Sequence, residues 1–128
     1  MAPEHVKTLT EKGVKVLVQP SGRRVFSDDE YREAGATISE DLSPASTIFA
    51  VKNVPIEKLI PERTYVFFSH TIKAQEDNME MLDEILKRKI RLMDYECITK
   101  TGERGGPRLV AFGRFAGELG ANSSLALD

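Results

Sequence analysis

The chain has a single cysteine, Cys97, so no disulfide can form within it, and a lone thiol suits a reducing compartment. It also lacks any long hydrophobic run. The longest, at residues 48–51 and 66–68, are strand-sized and fall far short of the roughly 20 residues that a membrane-spanning helix needs. No signal-peptide pattern opens the chain, because Pro3, Glu4 and His5 interrupt the start and no apolar stretch follows. Charge of one sign is lacking too. With 18 Lys+Arg against 20 Asp+Glu the formal net charge is −2, which excludes a global positive field for nucleic acid or an anionic membrane. There is no internal repeat, P-loop, Cys/His metal-ligand spacing or G-x-S-x-G elbow, and Gly113, Gly117 and Gly120 open no phosphate-cradling loop. What remains, 128 residues with 41% hydrophobic and 30% charged, predicts one soluble intracellular domain over 1–128.

Helix and strand signals alternate along the chain. Pro3 suits a first helical turn, Val6 and Leu9 give an apolar stripe, and Gly13 stands where a helix closes. Residues 14–18 read as a buried strand. Pro20, Ser21 and Gly22 make a turn that leaves Arg23 and Arg24 as a basic pair, too small for a nucleic-acid footprint. Ser27 with Glu30 forms a capping box, which predicts a short helix over 27–34 stopped by Gly35, with Asp28, Asp29 and Glu30 complementing the helix dipole. Strands are expected at 47–51, 64–69 and 90–93, a helical turn at 56–59, and the longest helix at 75–88. The continuous apolar run Tyr65-Val66-Phe67-Phe68 implies burial on both faces, as in the middle of a parallel sheet. A hairpin is expected to join 97–99 to 108–111, and a helix to run over 113–127. The class that follows is α/β: a Rossmann-like three-layer sandwich with a mostly parallel sheet. No stop signal precedes Asp128, so the expectation is a segment cut from something larger.

Ligands in open α/β sheets collect at the carboxyl ends of the strands. Lys52 and His70 stand at two such ends, and an amine beside an imidazole makes an acid–base pair. A lysine after an apolar strand is also commonly just solvated, and a lone histidine commonly structural. Lys73 and Gln75 lie just beyond His70, where a cation and an amide suit a carboxylate, although ordinary surface residues at a helix entry fit as well. Arg108 opens a strand after a Gly-rich turn and suits either a carboxylate clamp or a charged edge. Cys97 has no activating neighbour and reads as packing.

Four stretches together carry a family resemblance: Lys52; the run Phe67-Phe68-Ser69-His70-Thr71-Ile72-Lys73-Ala74-Gln75; Asp94-Tyr95-Glu96; and Val110-Ala111-Phe112-Gly113-Arg114-Phe115-Ala116-Gly117. They resemble the N-terminal segment of the lysine-2-oxoglutarate reductase half of the alpha-aminoadipic semialdehyde synthases. More distantly they resemble the saccharopine dehydrogenases and the alanine dehydrogenase/transhydrogenase N-terminal domain. The resemblance implies catalytic roles for Lys52 and His70, and saccharopine contacts for Lys73, Gln75, Arg108 and Phe112. It implies reductive condensation of L-lysine with 2-oxoglutarate to saccharopine, with NADPH bound mainly by a following nicotinamide-binding domain that this chain lacks. An upstream arginine that contacts substrate carboxylate in the family is also lacking, since the chain starts at Met1. A mitochondrial matrix location is implied, with a cytoplasmic location as the alternative; a homo-oligomer is expected separately, from the apolar residues Ala116, Leu119, Leu125 and Leu127 of the last helix. Neither nucleic acid nor membrane is expected as a partner. The competing reading is a non-catalytic module that binds an amino acid or keto acid.

Overall fold

The computed structural model describes residues 1–113. The chain divides into two compact units, Met1–Ser46 and Thr47–Asp128.

In the first unit, helix α1 (Pro3–Glu11) begins with proline at its first turn and is capped by Lys12, and Gly13 follows in the left-handed region at φ +83°. Helix α2 (Asp28–Glu33) starts where its capping box predicts. The Ser27 hydroxyl accepts the Glu30 N–H, and the Glu30 carboxylate accepts the Ser27 N–H at 2.7 Å. Gly35 closes α2 at φ +89°. A β-carbon there would lie 3.0 Å from the Thr10 hydroxyl, so the close approach as well as the conformation calls for glycine.

Two short strands, β1 (Leu17–Val18) and β2 (Thr37–Ile38), pair in parallel. The apolar run 14–18 therefore yields a shorter strand than its composition predicts. Val14 is half exposed, and the ladder begins only where the Val16 carbonyl accepts the Thr37 N–H. Val6, Tyr31, Ala34 and Ala36 form the core, with Val16, Val18 and Ile38 packed against it. The Tyr31 hydroxyl donates to the Met1 carbonyl at 2.7 Å, and the Arg24 guanidinium lies over the Tyr31 ring while pairing with Asp28.

The second unit is built on a parallel sheet of β3 (Thr47–Phe49), β4 (Thr64–Phe67) and β5 (Arg91–Asp94), with β4 in the middle. Every strand pair of the described residues is parallel, and helices flank the strands in sequence, which is the α/β, Rossmann-like class. Phe67 is fully buried and Tyr65 nearly so, as expected of a central strand with both faces covered. In register, Ile48, Tyr65 and Leu92 share one face, while Phe49, Val66 and Met93 share the other. The β3–β4 ladder runs past the strands proper. The Ala50 N–H donates to the Val66 carbonyl and the Phe68 N–H to that of Val51. A 3-10 turn at Ile56–Lys58 fills the helical turn predicted there.

Helix α3 (Met79–Lys87) is shorter than the predicted 75–88, because residues Glu76–Asn78 close as a 3-10 turn before the α-helix begins. The expected hairpin is short: Thr99 bridges antiparallel to Arg108, the Leu109 N–H donates to the Ile98 carbonyl and the Lys100 N–H to that of Pro107, while Cys97, expected in its first strand, closes the 3-10 turn Tyr95–Cys97. That turn leaves Cys97 exposed, contrary to its reading as a packing residue. The helix expected at 113–127 lies outside the described residues apart from its first position.

Candidate active site

Lys52 directly follows the last β3–β4 ladder bond, and His70 stands three residues beyond the end of β4. Both therefore sit at the carboxyl ends of adjacent parallel strands, the placement that strand-end reasoning predicts. Lys52 is exposed and, among the described residues, its ammonium meets no ion-pair partner.

His70 is tightly placed. Its backbone is left-handed, φ 55° and ψ 13°, and it begins the 3-10 turn Thr71–Lys73. Its ring stacks on Phe68, with centroids 6.3 Å apart, and its Nδ1 lies 2.9 Å from Glu96 Oε2. An ionised carboxylate only accepts, so Nδ1 carries the proton and Nε2 is the nitrogen left for exchange with a ligand.

Glu96 is the hub. Its other oxygen, Oε1, lies 3.3 Å from Lys73 Nζ and 3.0 Å from Arg108 Nη1, so three cationic or basic side chains converge on one carboxylate. The Glu96 side chain is only 6% exposed, whereas those of His70, Lys73 and Arg108 are about half exposed. Burial pushes the Glu96 carboxyl up, but hydrogen bonds from His70 and Lys73, with their charges, outweigh it and hold the group below the usual range. Burial alone pushes the neighbouring Tyr95 phenol up.

Beneath the hub lies a buried polar knot. Ser69 is fully buried and donates its hydroxyl to Asp94 Oδ2. Asp94 Oδ1 accepts the Glu96 N–H at 2.8 Å. The Ser69 oxygen in turn accepts the Thr71 N–H at 3.3 Å and the Thr71 hydroxyl at 2.9 Å, since its own proton is committed to Asp94.

Of the six residues predicted from sequence, the structure thus gathers His70, Lys73 and Arg108 around Glu96. Phe112 joins through Phe68, whose ring lies 5.7 Å from it. Gln75 is not in this cluster. Its Oε1 accepts from Asn78, whose Oδ1 accepts from Asn53 at 3.0 Å, which ties the Lys52 loop to the start of α3. Glu96 itself was assigned no role by sequence reasoning. Nothing in periodicity marks a buried glutamate, and its one local signal is its place two residues after Asp94 at a strand end. The site can hold and move a proton at His70, and its cations suit carboxylate ligands. Among the described residues no group of His, Cys, Asp and Glu is arranged to hold a metal ion.

The parallel sheets and the helices between their strands define an α/β, Rossmann-like domain. The chain belongs to the alanine dehydrogenase/PNT N-terminal domain family, whose sequence pattern matches residues 1–117. It is 57% identical over 120 residues to the mitochondrial alpha-aminoadipic semialdehyde synthase of Bos taurus, covering 94% of this chain and 13% of that protein. It is 42% identical over 126 residues to the alpha-aminoadipic semialdehyde synthase of Arabidopsis thaliana, covering 94% of this chain and 12% of the plant protein. Against the saccharopine dehydrogenase (NAD(+), L-lysine-forming) of Candida glabrata the identity is 33% over 132 residues, covering 98% of this chain and 35% of the relative. The chain therefore spans a small part of the length of each of these relatives.

Proposed function

We propose that the chain is the substrate-side part of an oxidoreductase of lysine degradation, a lysine-2-oxoglutarate reductase that joins L-lysine to 2-oxoglutarate to give saccharopine. The observation that carries this reading is the convergence of His70, Lys73 and Arg108 on Glu96 at the ends of β4 and β5, one strand away from Lys52. The likeness to the semialdehyde synthases and saccharopine dehydrogenases supports it. The mitochondrial names of the mammalian relatives support a matrix location for the protein to which this chain belongs.

The chemistry needs proton carriers and cations. The lysine ε-ammonium must lose a proton before it attacks the ketone carbon, and the carbinolamine hydroxyl must gain one before it leaves as water. Lys52 and His70 carry these protons, with Glu96 holding the His70 ring and fixing its tautomer. Arg108 and Lys73 orient the carboxylates, the Gln75 amide adds a hydrogen bond, and Phe112 packs against the aliphatic part.

Reduction of the imine would need a hydride, the chemistry that a nicotinamide nucleotide such as NADPH would supply when bound. The turns that leave β3, β4 and β5 do not fit such a dinucleotide: they carry no glycine before residue 102, so they offer no cradle for a pyrophosphate. No step through the nucleotide is assigned to this chain.

The test is NADPH oxidation, dependent on lysine and 2-oxoglutarate, by a protein in which this chain precedes a nicotinamide-binding domain. Lys52→Met should slow turnover by ~10² to 10⁴-fold, the usual contribution of a general acid–base group. Unchanged turnover removes Lys52 from the mechanism, and a wild-type protein that forms no saccharopine refutes the reaction. Tight binding of lysine or 2-oxoglutarate by the 128-residue chain alone, measured by calorimetry, would favour a sensor module instead.

A further inference from the structure

We infer that Asp94 is a positioning residue for the acid–base site, its two carboxylate oxygens setting His70 against Glu96. The inference rests on His70 being a proton carrier, as proposed above. Asp94 ends β5 and is 9% exposed, yet among the described residues it has no cationic partner. A buried carboxylate without a counter-ion is costly, and an apolar residue would serve the core better, so the fold alone does not explain it.

Its hydrogen bonds do. Oδ2 accepts a hydrogen bond from the Ser69 hydroxyl, and Oδ1 accepts the backbone N–H of Glu96 at 2.8 Å. Ser69 and Thr71 flank His70 and are bonded to each other through side chain and backbone, so the left-handed turn at His70 is clamped on both sides. On the other arm, the bond to Glu96 N–H folds residues Tyr95–Cys97 into the 3-10 turn that aims the Glu96 side chain back at His70. One carboxylate thus sets both ends of a 2.9 Å contact between residues 26 apart in sequence. The groups that face Glu96 are then His70, Lys73 and Arg108.

The test is to follow the Glu96 carboxyl by carbon NMR during a pH titration of the 128-residue chain, comparing wild type with Asp94→Asn and Ser69→Ala. In wild type Glu96 should titrate below an ordinary glutamate. In both variants the midpoint should rise towards the ordinary range as the contact with His70 and Lys73 loosens. Should Asp94→Asn fail to fold, Ser69→Ala, which removes only one oxygen, decides. Folded variants in which Glu96 titrates as in wild type would overturn the inference, even if they melt at lower temperature. So would an ordinary midpoint in wild type. Kinetics give a second reading in the reductase. Ser69→Ala should lower kcat on the order of tenfold with the KM for lysine unchanged, and a change in KM alone counts against positioning. Because the titration involves no turnover, a wild-type protein that forms no saccharopine refutes the reaction and leaves the Asp94 result standing.

Discussion

Replacing Glu96 with glutamine removes one negative charge from the midst of His70, Lys73 and Arg108, and its cost can be worked from the contacts. The three lie 2.9, 3.3 and 3.0 Å from the carboxylate. Breaking a fully buried ion pair costs about 3–5 kcal/mol, because a charge is left stranded. Here the carboxylate is buried but its partners are about half exposed, so in Glu96→Gln the cations turn to water rather than being stranded. Each contact then falls near the exposed-pair range of about 0.2–1 kcal/mol, and the three together contribute on the order of 1–2 kcal/mol at neutral pH.

For a chain of this size that lowers the urea midpoint by roughly 0.5–1 M, read by far-UV circular dichroism. The loss should also depend on pH. The Glu96 carboxyl is depressed in the folded state, so its stabilisation is fully present above the ordinary glutamate range and is lost as pH falls through the folded value. Glutamine does not titrate, so the gap between wild type and variant should shrink on acidification below that range. A gap that persists unchanged at acid pH, or no gap at neutral pH, would refute this account of the hub.

Three further outcomes bear on the fold. Phe67→Ala should cost about 3–5 kcal/mol in chemical denaturation, since its ring is wholly buried in the central strand, and a loss below about 1 kcal/mol would contradict that burial. Gly35→Ala should cost about 1–2 kcal/mol, because its φ is +89° and the new β-carbon presses on a Thr10 hydroxyl bonded to the Ala34 carbonyl. Gly22→Ala, which meets open space, should melt within a degree or so of wild type, and an equal loss at both glycines would refute the steric argument. Cys97 should react with a thiol reagent in the native chain as fast as in urea, and protection that disappears on unfolding would place it inside instead.

Local chemistry was legible and long-range chemistry was not. Helices α1 and α2 announce themselves because proline, the Ser27–Glu30 box and two closing glycines act within a few residues of one another. The run through Tyr65 and Phe67 marks the central strand because burial on both faces leaves no polar alternation to hide it. β2 is two residues long, too short to show any period. The hairpin expected from 97 pairs only from Ile98 onward, because the Asp94 carboxylate captures the Glu96 N–H and curls residues Tyr95–Cys97 into a 3-10 turn. That Lys52 and His70 stand at strand ends was legible from the sequence alone. That Lys73 and Arg108 meet the same carboxylate as His70 depends on where β4 and β5 deliver their following loops, which no spacing in the chain expresses.

The left-handed backbone at His70 decides which substitution can interrogate its ring. Asparagine and aspartate tolerate that region, whereas alanine resists it and a β-branched residue is strongly disfavoured there. Loss of activity in His70→Val would mix a missing imidazole with a distorted loop, and rescue by added imidazole would fail for the wrong reason. His70→Asn keeps the turn, leaves Ser69 and Thr71 in place, and isolates what the ring contributes.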